Sequence, residues 1–350
     1  MRKLPLFLAG VLVGCGSVAS VQAAPRQASS AKQKPPIDIV FAIDCSGSMG
    51  GVIETAKQKI WDIVNEAGKA KPTPQLRIGL IAYGNASNSY RVYDLSGDLD
   101  TVYEHLSSFR DEGWSQEYVG EAIQKAVADM SWSSQQLQVP SLRSLYVVGN
   151  ETAQQGPIDF RLAAPRAKEK GIFVNAIYCG SSGGQDTWKQ FSSLGGGKYL
   201  EIAANGGSVM VPTPFDKKIE ELNVKLNATY VPYGKMGEAA SANQKAQDSN
   251  AMRYGGGYSN ASRAMAKASS QYQNAQWDLV DKSKQPGFDL AKIPNEELPA
   301  EMRSMMLDKK KAFLAKKQKE RAAIQKELME VGNKRAEFLK KENKKSGRKD

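Results

Sequence analysis

The sequence predicts an α/β protein: a doubly wound, mostly parallel six-stranded sheet with a helical C-terminal extension. Three observations lead there. Between Ile37 and Ile202, short apolar runs bounded by turns alternate with stretches carrying apolar residues at helical spacing, the pattern of βαβ units. The first apolar run, Ile37 to Ile43, ends on the polar turn Asp44-Cys45-Ser46-Gly47-Ser48-Met49 and leads into an amphipathic helix. In open α/β sheets, ligands bind at that end of the strands. Beyond Pro212 the strand-like runs largely give way to helical patterns rich in small or charged residues.

In chain order, Arg2 and Lys3 precede the apolar run Leu4 to Val13 and a stretch of small residues, which reads as an export signal outside the fold. The run is too short for a permanent membrane span, so no transmembrane helix is expected in the mature chain. Two cleavage readings compete. Val21-Gln22-Ala23 before Ala24 suits ordinary signal peptidase and makes residues 1–23 the signal. Leu12-Val13-Gly14-Cys15 suits a lipobox, which ends the signal at residue 14 and leaves Cys15 lipidated. Either way the protein is expected outside the cytoplasm, periplasmic or membrane-anchored as a lipoprotein. Residues 24–36, rich in Pro, Ser, Gln and Lys, read as a flexible tether.

Residues 37–204 read as the α/β domain. After the Asp44 turn, Ile53, Ala56, Ile60, Ile63, Val64 and Ala67 mark a helix that Gly68 and the Pro72/Pro74 pair end. Leu76 to Tyr83 is a strand, and the alternating Tyr90 to Leu95 is its hairpin edge. Leu99, Val102, Leu106 and Phe109 mark the next helix; His105 falls off that stripe and is expected to be an exposed bystander. A polar loop, Arg110 to Glu117, opens a helix with Ala122, Ile123, Ala126, Val127 and Met130 inward. Leu142 to Val148 is the fourth strand, ending in Gly149-Asn150-Glu151. Pro157 is expected to begin the following helix. Ile172 to Tyr178 is the fifth strand. Asp186 is a cap for a short helix with Trp188, Phe191 and Leu194, and Lys198 to Ile202 is the sixth strand.

Residues 205–293 form an Ala/Ser/Gln-rich helical extension. Pro212 to Ala228 reads as a helix capped by Thr213 with Pro214 in its first turn. Tyr230 to Gly234 reads as an extended return. Gly237 to Ser270 has side chains too small for a core of its own; two thin helices leaning on the front domain, broken at Gly255-Gly256-Gly257, are expected. Trp277, Leu279 and Val280 are anchors. Residues 294–350 form a basic charged helix starting at Pro294. Ile324, Leu328, Val331 and Phe338 make a narrow seam suited to a helical pair or coiled coil; a solvated single helix with Lys/Glu support is the competing reading.

The formal charge is +11. Sixteen Lys/Arg against seven Asp/Glu lie between Asp308 and Asp350, so the basicity belongs to the tail and the front domain is near neutral. The tail suits anionic envelope surfaces or acidic proteins. Nucleic acid is excluded as a partner by export and by the lack of aromatics interleaved with the basic run. The single histidine, His105, rules out His-based metal clusters. Cys45 and Cys179 fall past the ends of the first and fifth strands. In a 3-2-1-4-5 order they are separated by a strand, about 10 Å, beyond the roughly 7 Å limit for a disulfide, so two free thiols are expected.

Asp44, Ser46 and Ser48 offer one charged and two neutral oxygens, a hard set that suits Mg²⁺; the same residues also suit a bare helix N-cap. Here the sequence resembles the von Willebrand factor A domain, the integrin inserted-domain fold, over roughly Ile37 to Ala204. Asp44-Cys45-Ser46-Gly47-Ser48 matches that family's metal-ion-dependent adhesion motif in full. The resemblance implies a second-loop ligand at Glu117, five residues before Ala122, and a third-loop position at Asn150, where the family usually has Asp. Asp44 with Glu117 restores the two carboxylates of the usual set, and Mg²⁺ accepts an Asn carbonyl or a bridging water. Glu151 and Ser115 are neighbours with oxygens able to substitute, a solvated loop being the default reading of both. Ala56 to Trp61, Leu76 to Leu80, Val147 to Glu151 and Val174 to Gly180 also look like a bacterial exported subgroup.

Two functions follow as expectations. One is an exported protein-binding module whose Mg²⁺ (or Mn²⁺), held by Asp44, Ser46, Ser48, Glu117 and Asn150, captures a partner's Asp or Glu carboxylate. The other is a metal-independent structural envelope protein acting through its basic C-terminal helix. No enzyme is expected. The sequence has no nucleophile–base motif and no phosphate-cradling glycine loop with a lysine, and Cys45 reads as a small side chain in the motif's variable slot.

Overall fold

The computed structural model describes residues 34–84, 90–135, 141–180, 183–202 and 211–345. The signal, Cys15 and most of the tether lie outside these residues. Six strands form one sheet: β1 (Pro36–Asp44), β2 (Gln75–Tyr83), β3 (Arg91–Ser96), β4 (Leu142–Gly149), β5 (Phe173–Tyr178) and β6 (Gly196–Glu201). Their order is β3-β2-β1-β4-β5-β6, parallel except for the antiparallel β2/β3 pair. The order reverses between β1 and β4, so the Asp44 turn and the loop after Gly149 open side by side at the switch point.

The alternating apolar residues of the central strands feed two cores. On one face, α1 (Gly50–Gly68) and α2 (Leu99–Ser107) bury Ile53, Ile60, Trp61, Val102 and Leu106 against Ile43, Ile78 and Leu80. On the other, α3 (Val119–Asp129), α4 (Phe160–Glu169) and α5 (Gln185–Leu194) bury Ile123, Ala126, Phe160, Ala164, Trp188 and Phe191 against Val40, Leu145, Val147 and Val174.

The chain then adds α6 (Asp216–Asn227), α7 (Gly237–Ala268), the short α8 (Leu279–Lys282) and α9 (Ala300–Arg303), and the 39-residue α10 (Leu307–Lys345). As the small-residue composition suggests, α7 is two helices leaning on the domain, lying along α1 and broken at Gly256 (φ 53°, ψ −147°). Gly256 is the residue type that tolerates this left-handed backbone. Small residues let α7 approach closely: Ser259 Oγ donates to the Gln58 carbonyl at 3.0 Å, and Asn65 Nδ2 to the Ser262 carbonyl at 2.9 Å. Trp277, Leu279 and Val280 are buried, and Pro232 pairs with Asp278 in an antiparallel bridge. Both described cysteines are free and buried. No helix among the described residues is long and apolar enough to cross a membrane.

Several expectations need correction. Pro157 does not open α4, which starts at Phe160 with Asp159 as cap, its carboxylate accepting from the Arg161 N–H at 2.8 Å; a side chain that satisfies a helix-end donor outranks the proline signal. Thr213 does not cap α6: the helix starts at Asp216, whose carboxylate reaches back to the Thr213 N–H and hydroxyl. Gly184, not Asp186, is the N-cap of α5, and Asp186 lies in its first turn. The charged helix does not run from Pro294; two short turns precede α10, which begins at Leu307. His105 is not an exposed bystander: it is half-buried and stacks on Tyr93, centroids 3.8 Å apart. The α10 seam packs inside its own chain. Leu328 is buried in the α1/α7 core, Ile324 and Val331 flank it, and Phe338 meets Phe215 edge-on at 6.3 Å.

Candidate metal centre

The first loop is set by its own aspartate. Asp44 is fully buried; its Oδ1 accepts from the Ser46 N–H at 2.8 Å and its Oδ2 from the Ser46 hydroxyl at 2.7 Å, an Asx turn that fixes both carboxylate oxygens. The second loop lies against the first. Gly47 donates to the Trp114 carbonyl at 3.1 Å, and Glu112 donates to the Cys45 carbonyl at 2.9 Å. Gly84 makes room for this: a Cβ there would stand 2.0 Å from Trp114 Cε3.

This apposition carries Glu117 under the surface, fully buried. Its Oε2 accepts from the Asn150 and Glu151 N–H groups at 3.3 and 3.2 Å. Its Oε1 is buried without a hydrogen-bond partner, and the carboxyl lies within hydrogen-bonding reach of Asp44. Gly149 permits the approach, since a Cβ there would come 2.7 Å from Glu117 Oε2. In the third loop, Asn150 Nδ2 donates to Ser48 Oγ at 2.7 Å while its Oδ1 is buried and unpartnered. Asp44, Ser46, Ser48, Glu117 and Asn150 therefore all meet at one place, from three loops.

The electrostatics follow from two carboxylates facing each other away from water. Burial, first, pushes the Asp44 carboxyl up, against the hydrogen bonds that pull it down. Glu117 is pushed up by burial and then by the Asp44 charge. Burial also pushes the Cys45 and Cys179 thiols up to about 12, with the nearby carboxylates adding to it. Neutral thiols are poor nucleophiles, so Cys45 fills space beside the site.

Among the described residues, no group of three or more His, Cys, Asp or Glu is assembled to hold a metal. The donor set here is two carboxylates with hydroxyl and amide oxygens. It nonetheless fits a hard divalent cation. Buried, unpartnered Glu117 Oε1 and Asn150 Oδ1 lack the partners that buried polar atoms normally have, and the facing carboxylates lack a counter-charge.

Sequence reasoning missed Gln155, whose Oε1 accepts from the Glu117 N–H at 3.1 Å. It also missed Tyr83, whose hydroxyl donates to the Val148 carbonyl at 3.0 Å beside the site. No local signal marks Gln155; Gly149, in the strand-end Val147-Val148-Gly149-Asn150, was the legible sign of a close approach.

Residues 38–205 match the family model of the von Willebrand factor type A domain. The chain thus carries such a domain, and domains of this family are commonly protein-binding modules. A comparison with curated proteins gives no match. Among solved structures, proximal thread matrix protein 1 of the mussel byssus, "with zinc occupied MIDAS motif", is similar at 13% identity and TM-score 0.41, over 49% of this chain and 43% of that one. An aerotolerance-related membrane protein from Bacteroides fragilis is similar at 19% identity and TM-score 0.37, over 49% of this chain and 94% of that one. The SpRpn10 VWA domain is similar at 16% identity and TM-score 0.35, over 51% and 100%. Likenesses at these scores carry no argument about this chain's ligands or partners.

Proposed function

We propose that the protein is an exported, metal-dependent binding module that uses a Mg²⁺ (or Mn²⁺) site to capture a carboxylate oxygen of a protein partner. The observation that carries this is the bare, buried Glu117 Oε1 beside Asp44. A bound cation supplies the missing positive charge and an electrophilic vertex for an external oxygen. The chain's residues divide the remaining work. Asp44 and Glu117 provide charge, Ser46 orients Asp44, the amides of residues 150 and 151 orient Glu117, and neutral oxygens come from the exposed Ser48 and from the buried Oδ1 of Asn150. On this reading the N-terminal apolar run is an export signal, ending at residue 23 or at residue 14 before a lipidated Cys15, and the module works in the periplasm or on a membrane; palmitate incorporation with Cys15→Ser as control decides between the two.

Titration calorimetry tests the metal step. The wild-type chain is expected to take up Mg²⁺ or Mn²⁺, and Asp44→Ala to abolish uptake while leaving the far-UV circular dichroism unchanged. Absence of uptake by the wild type at millimolar metal sinks the reading.

The metal-independent envelope reading draws on one observation: Lys309, Lys311, Lys316, Lys319, Lys340 and Lys341 on α10 are all exposed. Deleting α10 does not test it cleanly, because Arg321, Leu328 and Arg335 are buried parts of the fold. Replacing the exposed lysines by glutamine is the appropriate variant. Loss of envelope association in that variant, with Asp44→Ala unaffected, favours this reading over the metal-dependent one.

A further inference from the structure

Glu117 belongs to a closed ring of hydrogen bonds. Its N–H donates to Gln155 Oε1 at 3.1 Å, Gln155 Nε2 donates to Glu151 Oε2 at 2.6 Å, and the Glu151 N–H donates back to Glu117 Oε2 at 3.2 Å. The ring joins the second and third loops, and it treats its two carboxylates differently. Glu117 is buried with one oxygen held and the other bare. Glu151 is exposed, and the Gln155 amide holds its carboxylate. The Glu151 backbone is pinned from the other side as well, since Trp188 Nε1 donates to its carbonyl at 2.6 Å. The Glu151 side chain is thus restrained by the Gln155 amide, on a backbone one hydrogen bond away from Glu117.

We propose that Gln155 is a positioning residue that holds the chain's own Glu151 carboxylate off the cation, keeping the open vertex available to an external oxygen ligand. The proposal rests on the metal-dependent reading above. Its logic is competition. A carboxylate tethered beside a cation has an effective concentration of order millimolar, so a partner's carboxylate is at a disadvantage unless the internal one is engaged elsewhere. Gln155 Nε2 engages it through a charge-assisted hydrogen bond. The same amide accepts from Glu117, so one side chain orients the carboxylate that serves the cation and restrains the one that does not. Alanine does neither, and a carboxylate at this position can accept from the Glu117 N–H without donating to Glu151.

The test uses Mn²⁺ as probe on the full chain. Electron paramagnetic resonance counts bound Mn²⁺, and water-proton relaxation counts its coordinated waters. In Gln155→Ala, Glu151 is released toward the cation, so about one coordinated water is lost and affinity rises by roughly three- to tenfold with the added ligand charge. Gln155→Ala/Glu151→Gln returns both readings to wild-type values. Gln155→Glu, which keeps the acceptor for Glu117, shows the same loss of a water and serves if the alanine variant folds poorly. Wild-type water count and affinity in both single variants overturn the proposal. So does a loss of Mn²⁺ binding in Gln155→Ala that Glu151→Gln fails to reverse, since Gln155 then acts on Glu117 alone. Failure of the wild type to bind Mn²⁺ removes the metal reading itself, and this proposal with it.

Discussion

Two carboxyl groups buried face to face do not both ionise, and Asp44 with Glu117 is such a pair: burial and the Asp44 charge push the Glu117 carboxyl up to about 9, so without metal the pair keeps a proton at neutral pH. A fold that keeps them gives up stability for a site. Glu117→Gln replaces a carboxyl that keeps its proton at neutral pH without metal, and it retains an oxygen for the two amides that hold it. The metal-free protein is therefore expected to melt within about 2–4 °C of wild type, the shift that corresponds to about 1 kcal/mol. A Mg²⁺-induced rise in melting temperature is expected for the wild type and is expected to vanish in the variant. Scanning calorimetry with and without Mg²⁺ reads both; a Glu117→Gln protein that melts lower than wild type by more than this when metal-free contradicts the account. The motif residues Asp44, Ser46 and Ser48 were readable from the sequence because their spacing on one turn is local. Glu117 and Asn150 were reachable only through the family resemblance, and Gln155 not at all, because its role depends on a loop brought alongside from 38 residues away.

At the scale of elements, the extension is docked by buried charge. Arg263 of α7 is fully buried, pairs with Asp100 of α2 at 2.7 Å and with Asp248, and lies over the Trp61 ring. Lys267 pairs with Asp248 at 2.9 Å, and Asn223 and Asn227 of α6 donate to the same carboxylate. Tyr272 donates to Asp100. On α10, Arg321 is buried on Asp278 at 2.6 Å and over Tyr230, and Arg335 reaches Asp216 at 2.9 Å. Composition placed Arg321 and Arg335 on a basic charged helix, read either as a helical pair or as a solvated single helix; packing made them, with Arg263 of α7, buried staples.

Asp248 gives this element a pH signature. Burial alone raises its carboxyl, but Lys267 and Arg263 more than offset this and hold it below its ordinary value. Below about pH 4 the unfolded chain takes a proton there that the folded chain refuses. The stabilisation is thus complete above that pH and is lost progressively below it, as pH falls toward the lowered value of the folded chain. Asp248→Asn is expected to flatten this acid limb. At neutral pH it is expected to cost about 3–5 kcal/mol, because Lys267 loses its carboxylate partner in the interior. Urea unfolding between pH 2 and 7 measures both effects, and an unchanged acid limb in the variant refutes the assignment.

On the scale of the whole molecule, the extension shares the core on the α1 face of the sheet. Trp61 and Ile60 of α1 belong to the same cluster as Ala261 and Ala264 of α7, Leu222 and Leu226 of α6, and Leu328 of α10. A fragment ending at residue 211 retains the sheet but exposes the outer face of α1 and strands Asp100 without Arg263. It is expected to be aggregation-prone, with loose tertiary packing, reported by dye binding and a weak near-UV signal. A cooperative melt of the fragment within a few degrees of the full chain shows instead that the extension is dispensable. The Asp44 turn lies at the carboxyl end of β1 with Gly47 and Ser48 exposed, while α7 packs on α1 and α10 packs on α6 and α7, so the extension braces the domain and leaves that turn open.

By itself the sequence determined the sheet, its strand order, the broken helical pair and the Asp-x-Ser-x-Ser turn, because these follow from local periodicity and spacing. The tertiary structure alone decided three further things: which carboxylate oxygen is bare, which basic residues are buried, and that the α10 seam closes on its own chain. Those outcomes depend on what water is excluded from, and that is a property of the packed molecule that no short stretch of sequence contains.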